Sequence, residues 1–151
     1  MPAYLGIRNE YRTFFVVFAE THTQRVWSSV CSKGFRHCWV FWANYVGSPG
    51  LMTPRNTVKV EGQLSNVDID VWYADPKEVA AAFLPLSTDI LMITLPFKSS
   101  FKLRPRGIIT CVSIVKAVMG IHKWGVILPH QLHGCLLKRG AKSLKGESHG
   151  N

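Results

Sequence analysis

Two residues far apart in the chain could do covalent chemistry together. Cys111 lies in GIITCVSIVKAVMGI, where a threonine followed by an apolar stripe predicts the start of a helix. His37 lies in GFRHC, directly before the apolar run WVFWANYV, which is typical of a buried strand. A thiol beside an imidazole makes a nucleophile with its own base, provided that the fold brings the two segments into contact.

The sequence around Cys111 favours a reactive thiol. Thr110 is predicted to cap the helix, Cys111 to occupy its first position and Gly120 to end it. The unpaired N–H groups of a helix start stabilise a thiolate, and a nearby imidazolium stabilises it further. The same N–H groups can donate hydrogen bonds to an oxyanion that forms on an attacked carbonyl. The alternative is that Cys111 is a small core residue, as free cysteines usually are.

Alternating hydrophobicity predicts several strands that could position the histidine. GSPG is a turn signal, so the segments on either side of it are predicted to form a hairpin. An apolar centre in YRTFFVVFAETHT fits a short strand or a buried helical turn equally well. The predicted strands are residues 37–46, 51–62, 66–75, which has an acidic polar face, and 87–97.

Helix start and stop signals predict three helices. An Asp-Pro pair opens the first, Thr110 the second and Pro129 the third, and a proline or glycine follows each. The segments are residues 75–86, 110–120 and 129–140. The chain is therefore expected to have an α+β fold.

Length and composition indicate one globular domain. The chain has 151 residues, of which 47% are hydrophobic and 18% charged, and this excludes disorder of the whole chain. We expect a single domain over residues 1–140 and a flexible basic and polar tail over residues 141–151.

The cysteines and histidines do not predict a metal site or a cofactor. No CxxC pair is present, and no export signal is recognised, so the four cysteines are expected to be free thiols in a reducing compartment. His130 and His133 are three residues apart and could face together, but no carboxylate or cysteine stands near them in sequence. Alternation places Cys38 on the opposite face of its strand from His37, so Cys38 is predicted to be a core residue.

The net charge of +9 is concentrated near the C-terminus. The first 97 residues contain eight basic and eight acidic residues, and the remainder contains ten basic residues and one acidic residue. Such a cluster could bind nucleic acid or an acidic partner, or could be a solvated basic surface. No segment approaches the roughly eighteen apolar residues of a membrane span.

Cys111, His37 and their neighbours resemble a known family. A GFRHC-like stretch with the histidine, and a later TCV-x-x-VK-x-x-(L/M)GI stretch with the cysteine, are similar to small papain-like (NlpC-like) cysteine peptidases of bacteriophages. In that family the usual order of cysteine before histidine is circularly permuted. A proline and a Gln-Leu pair follow, here within Pro129–Leu132, so the resemblance spans about residues 34–137.

The resemblance implies a papain-like fold, in which an antiparallel sheet packs beside a helix that bears the catalytic cysteine. It also implies a third polar residue that orients the histidine, on the strand that follows it. Asn56 is the preferred choice because its amide oxygen could accept the ring N–H, with Thr53 and Asn44 as lesser choices. The aspartate–proline pair of the family stands here as Thr53-Pro54, so the identity of the orienting residue stays open.

The predicted function is thiol hydrolysis by Cys111 and His37 with Asn56, without metal or cofactor, in a cysteine peptidase, an amidase or a related acyltransferase. The substrate would be a peptide, an amide or a thioester. The resemblance suggests the cytoplasm of a bacterial host, or a virion, as the location. Two alternatives remain: a basic phage protein that binds nucleic acid or an acidic protein without catalysis, and a scaffold with degenerate chemistry.

Overall fold

The computed structural model describes residues 10–20, 30–46, 53–62, 66–97 and 110–146. In these residues the chain is an α+β protein whose strands form one open antiparallel sheet. The strands are β1 (Glu10–Ala19), β2 (His37–Val46), β3 (Thr53–Gly62), β4 (Val67–Trp72), β5 (Asp89–Phe97) and β6 (Lys142–Ser143). The helices are α1 (Pro76–Phe83), α2 (Cys111–Met119) and α3 (Pro129–Lys138), with a 3-10 turn at Leu84–Leu86.

The strands lie in the order β4-β3-β2-β1-β5-β6. The central strand β1 is the segment whose period fits a strand or a helix equally well. It reads as a continuous apolar run because it pairs with β2 and β5 and is buried on both faces. The hairpin predicted around GSPG is present, with β2 and β3 antiparallel and Val40 opposite Val60. His37 is the first residue of β2 and lies opposite Ala19 of β1.

Two apolar clusters cover the two faces of the sheet. The larger cluster joins α2 and α3 to one face, which includes Cys38 and Val40 of β2 and Val60 of β3. The smaller cluster joins α1 to the other face, which includes Trp39 and Phe41 of β2. Successive residues of β2 therefore point to different layers, as strand alternation requires.

Helix α2 begins and ends at the residues that the sequence predicts. Thr110 is the N-cap, its side chain accepts a hydrogen bond from the N–H of Ser113, and the Ser113 hydroxyl accepts one from the N–H of Thr110. Gly120 ends the helix in the left-handed conformation, with φ of 67°. This reciprocal capping box fixes the start of the helix, and with it the backbone of Cys111.

The start of α2 packs directly on the end of β3 because Gly62 has no side chain. A Cβ atom at Gly62 would lie 2.7 Å from Cγ1 of Ile114 and 3.1 Å from the carbonyl oxygen of Thr110. Residue 62 therefore sets how closely the Cys111 end of the helix approaches the sheet.

Strand β4 differs from the expectation of a half-buried strand. Its apolar residues Ile69 and Val71 are 60% and 51% exposed. They share a face with Val60 and Val58 of β3, their partners in the pairing, but α2 packs over β2 and β3 and leaves the outer strand uncovered. Apolar and acidic residues do alternate along β4. Trp72 packs against the smaller cluster, which joins α1 to the other face of the sheet.

The prediction of a flexible tail from residue 141 is wrong for residues 141–146. Lys142 and Ser143 form β6, which pairs with β5, and Ala141 is buried. The hydroxyl of Ser143 donates to Asp89 at 2.7 Å, and Leu144 packs against the α1 layer. These contacts hold residues 141–146 against the sheet, although their polar composition favours a flexible tail. Residues 147–151 lie outside the described part of the chain.

In the described residues no helix is long and apolar enough to span a membrane. Four of the C-terminal basic residues, Lys98, Lys102, Arg104 and Arg106, lie outside the described part of the chain.

Replacing Gly62 by alanine should separate the start of α2 from the sheet. The added methyl group overlaps Ile114 and the Thr110 carbonyl, so we expect the free energy of unfolding to fall by about 1–3 kcal/mol, the usual cost of overpacking. Urea denaturation measures the loss. Gly134→Ala is the control, because a Cβ atom at Gly134 meets no heavy atom within 4 Å. An unchanged midpoint for Gly62→Ala would contradict this account of the packing.

Candidate active site

A short loop positions His37 at the start of β2. Gly34 takes the left-handed conformation, with φ of 82°, and turns the chain toward the strand. The ring of Phe35 packs against the α2 and α3 layer. Arg36 forms an ion pair at 2.8 Å with Glu20, just beyond the end of β1. The GFRHC motif thus contains a turn, an apolar anchor and an ionic anchor directly before the histidine.

The fold brings His37 and Cys111 together. The Cys111 thiol and the His37 ring lie close enough for each to shift the pKa of the other. Cys111 is partly buried and packs against the larger apolar cluster. The start of α2 lies over the ends of β2 and β3, and His37 is the first residue of its strand, so the thiol meets the ring at the end of the sheet.

Cys38 also lies near Cys111. Its thiol and its backbone N–H contribute to lowering the pKa of the Cys111 thiol. The prediction that Cys38 is a core residue is confirmed, since its side chain is 0% exposed. Both His37 and Cys38 nevertheless lower the pKa of Cys111. Alternation does send them to different faces, but Cys111 meets β2 at its first residues, where both side chains are within reach.

Glu61 of β3 holds the other side of the His37 ring. Its Oε1 lies 2.5 Å from Nε2 of His37, and its Oε2 lies 2.5 Å from Nζ of Lys59. Lys59 in turn lies 3.3 Å from Oδ2 of Asp70 on β4. Side chains of alternating charge therefore form a series that leads from Cys111 through His37, Glu61 and Lys59 to Asp70 at the edge of the sheet.

The surroundings of Cys111 favour its thiolate. Hydrogen bonds from the Cys38 thiol, from His37 and from the Cys38 backbone, together with the charge of His37, outweigh burial and lower the pKa of Cys111 to about 5. Its position at the first turn of α2 acts in the same direction. At neutral pH the sulfur is therefore ionised.

The partners of His37 favour its imidazolium. Burial by itself lowers the pKa of His37, but hydrogen bonds to Cys111 and Glu61 and their negative charges raise it to about 9. The hydrogen bond from His37 and the contact with Lys59 outweigh burial at Glu61 and lower its pKa to about 2. Cys111 and His37 therefore form a thiolate–imidazolium pair between about pH 5 and pH 9, and Glu61 remains a carboxylate throughout that range.

The orienting contact to His37 comes from Glu61, and Asn56 does not supply it. Asn56 lies opposite Asn44 in the hairpin, seven residues along β2 from His37, which is about 23 Å at the rise of a strand. In the described part of the chain its buried Oδ1 has no hydrogen-bond partner. The side chains of the lesser choices, Asn44 and Thr53, are not among those described.

Hairpin register was the signal that could have identified Glu61. Residues 44 and 56 are paired, so Glu61 lies within two residues of the position across from His37, on the face that it shares with Lys59. The alternation of Lys59 and Glu61 with Val58 and Val60 is present in the sequence, but it identifies Glu61 only when the register is counted back from the turn. For the Cys38 thiol no sequence pattern gave a signal, because its contact arises where α2 crosses the sheet.

Comparisons with protein-family models, curated proteins and solved structures find no match to this chain. The assignment of a function therefore depends on the geometry of the site alone.

His133 has a different partner from any that the sequence suggested. Its Nε2 lies 2.8 Å from Oδ2 of Asp89, and the other oxygen of that carboxylate, Oδ1, accepts a hydrogen bond from Ser143. This network connects α3, β5 and β6 and accounts for the partly buried histidine structurally. No group of three or more ligand-type side chains suited to a metal occurs among the described residues.

The alkylation of Cys111 by iodoacetamide should follow a titration with a midpoint near pH 5. His37→Ala removes the positive charge and one hydrogen bond, so the pKa of Cys111 should rise and alkylation at pH 6 should slow by roughly tenfold or more. Peptide mass spectrometry measures the rate at each cysteine. Cys111→Ala should abolish labelling at neutral pH. Labelling of Cys31 or Cys38 at an equal rate in the unmodified protein would contradict this prediction.

Glu61→Gln should lower the pKa of His37, because the neutral amide no longer stabilises the imidazolium. We expect the midpoint of the His37 Cε1–H resonance, followed by NMR, to fall from about 9 by about one unit or more. Asn56→Ala is the matched control on the same strand and should leave the midpoint unchanged. The opposite result, with a shift in Asn56→Ala alone, would return the orienting role to Asn56.

Proposed function

We propose that the protein is a thiol hydrolase, a cysteine peptidase or amidase or a related acyltransferase, with Cys111 as nucleophile and His37 as general base and acid. The contact of Cys111 with His37, at the start of a helix and with Glu61 behind the ring, is the observation that carries this proposal. A nucleophile, a base and a residue that orients the base are the components of a catalytic triad.

Glu61 selects the useful tautomer of His37. Because its carboxylate accepts the proton at Nε2, Nδ1 is the ring nitrogen left to face the thiol. Nδ1 can then accept the proton of Cys111 and later return it to a leaving group. Lys59 and Asp70 fix the position of Glu61 on the side away from the ring.

The reaction would proceed through an acyl-enzyme. The Cys111 thiolate attacks the carbonyl carbon, a C–S bond forms, and the C=O π electrons move to the oxygen, which accepts a hydrogen bond from the backbone N–H of Cys111. When the tetrahedral intermediate collapses, the bond to the leaving group breaks, and the His37 imidazolium protonates that group. Water deprotonated by His37 then attacks the thioester and releases the acid and the thiolate.

The order of residues along the chain supports a circularly permuted papain-like arrangement. The histidine stands on β2 and the acid on β3, and the cysteine follows much later at the start of α2. The antiparallel sheet beside a cysteine-bearing helix agrees with that architecture. The departure is a glutamate on β3, Glu61, as the orienting residue in place of the preferred Asn56.

The alternative of a basic binding module has less support. Lys116 donates hydrogen bonds to the carbonyl oxygens of Lys123 and Val126, and Lys145 donates one to that of Ser87. These two cations of the C-terminal cluster contribute to the fold itself. Binding of nucleic acid or an acidic partner by the other cations, and a cytoplasmic or virion location, stay predictions.

Reaction with p-nitrophenyl acetate tests the proposal without knowledge of the natural substrate. We expect a burst of nitrophenol and a peptide that carries one acetyl group on Cys111. The rate should be bell-shaped in pH, because the thiolate is protonated below about pH 5 and the imidazolium loses its proton above about pH 9. Cys111→Ala should reduce the rate by at least about a thousandfold.

A peptide library should then define the substrate class by mass spectrometry of the cleaved products. Asn56→Ala, distant from the pair, is the control for folding and should retain activity. A burst that persists in Cys111→Ala, or an absence of acylation at every pH in a folded protein, would overturn the proposal.

A further inference from the structure

The loop between α2 and α3, residues 121–128, exposes several consecutive side chains. His122, Lys123, Trp124 and Gly125 are all exposed, and Trp124 is 83% exposed, although tryptophan is highly buried on average. A Cβ atom added at Gly125 would meet no heavy atom within 4 Å, so the loop stands clear of the other described residues at that point. Ile127 is 65% exposed. The fold therefore presents a large aromatic and a large aliphatic side chain to its surroundings.

The exposed part of this loop is anchored on both sides. Ile121 and Val126, which flank it, are 3% and 6% exposed and belong to the larger apolar cluster. From α2, Nζ of Lys116 donates hydrogen bonds to the carbonyl oxygens of Lys123, at 2.5 Å, and of Val126, at 2.9 Å. The exposure of Trp124 thus follows from a loop whose backbone is tied to the core and to α2.

Helix α3 fixes the backbone of the second exposed apolar residue. Oε1 of Gln131 accepts hydrogen bonds from the N–H groups of Ile127, at 3.0 Å, and of Leu128, at 3.1 Å. These bonds hold Ile127 just before α3 while its side chain remains exposed. Because both exposed apolar residues stand on a fixed backbone, a partner that covers them would order little additional chain.

The charge of this part of the chain indicates what kind of partner would bind it. Residues 110–146 contain no aspartate or glutamate, and their basic residues are Lys116, Lys123, Lys138, Arg139, Lys142 and Lys145. Lys116 and Lys145 donate hydrogen bonds to carbonyl oxygens within the fold. In the described part of the chain no ion pair involves the other four cations. A partner of this surface is therefore expected to be anionic.

We propose that the α2–α3 loop binds an anionic lipid surface, with Trp124 and Ile127 in the interface and Lys123 beside the lipid phosphates. Tryptophan favours the headgroup level of a bilayer because its ring is apolar and its N–H can donate a hydrogen bond. An aliphatic side chain beside it gains free energy by burial at the boundary of the acyl chains. Each lysine near such a surface adds electrostatic attraction to the anionic headgroups.

A lipid surface fits these residues better than a nucleic acid or a protein does. A nucleic acid could stack a base on Trp124, but Ile127 has no aromatic face and would stay exposed to water. An anionic protein would need a pocket shaped for the projecting ring, whereas lipids rearrange around a loop that enters the interface. The loop follows the opposite end of α2 from Cys111, about 12 Å along the helix axis, so lipid binding does not require the catalytic pair.

Sedimentation of the full-length protein with lipid vesicles tests the proposal. At low ionic strength we expect vesicles of phosphatidylcholine mixed with phosphatidylglycerol to bind the protein at least about tenfold more tightly than vesicles of phosphatidylcholine alone. Added salt should weaken this binding by screening the cations. Trp124→Ala should weaken it by about tenfold or more, because the apolar ring is lost. Lys123→Gln should weaken it by about fivefold.

Tyr73→Ala is the matched control for the loss of an exposed aromatic ring. Tyr73 is 89% exposed, but it lies between β4 and α1, in a segment that contains Asp70 and Asp75. This variant should bind mixed vesicles as tightly as the unmodified protein. Equal losses in Tyr73→Ala and Trp124→Ala would contradict the assignment of binding to the α2–α3 loop.

Trp124→Phe distinguishes insertion of the ring from an effect on folding. Phenylalanine keeps an apolar ring, so most of the vesicle binding should remain. Lipids with brominated acyl chains should quench the fluorescence of the unmodified protein, and that quenching should fall in Trp124→Phe. No difference in quenching would show that Trp124 does not enter the lipid.

Three results would overturn the proposal. The first is an absence of sedimentation with mixed vesicles at low ionic strength, and the second is binding that Trp124→Ala leaves unchanged. The third is binding of single-stranded DNA or of an acidic protein that depends on Trp124 when vesicles are not bound. None of these measurements needs a substrate, so their outcome is independent of the proposed hydrolysis.

Discussion

The packing of the α2 start against the ends of β2 and β3 is the constraint on which the site depends. Gly62 leaves room for Ile114 and for the Thr110 carbonyl, and the capping box fixes the first turn at that point. The helix therefore delivers Cys111 to the end of the sheet, where β2 begins. A side chain at position 62 would alter the distance between the two reacting groups while leaving both of them present.

Burial and alternating charge together stabilise the series of interacting side chains that leads from Cys111 to Asp70. Each group in it has a partner of opposite charge on at least one side, so partial burial strengthens the interactions instead of neutralising the groups. Lys59 also lies over the rings of Trp39 and Trp72, which shield the ion pair with Glu61 from water. Trp39 and Trp72 thus contribute to the electrostatics of the site.

Local signals in the sequence predicted most of the elements, because turns, caps and alternation are encoded over a few residues. Thr110, Gly120 and the GSPG turn are examples. The contacts between elements were harder to predict. Asn56 has suitable chemistry for the orienting role, but only the register of β3 against β2 identifies Glu61. Alternation predicts that Cys38 lies in the core, but alternation describes a strand interior and not its end. Ile69 and Val71 fit a strand pattern, but the pattern does not tell which strand lies at the edge of a sheet.

Strand β6 has a consequence for how the molecule can be shortened. It pairs with Leu91 and Met92 and so covers the outer edge of β5, and Ser143 satisfies an oxygen of the buried Asp89. A chain that stopped at residue 140 would expose the backbone N–H and C=O groups of β5 and leave that carboxylate with one fewer donor. Exposed strand edges recruit strands from other molecules. Truncation at the boundary suggested by composition would therefore convert a protected edge into a site of self-association.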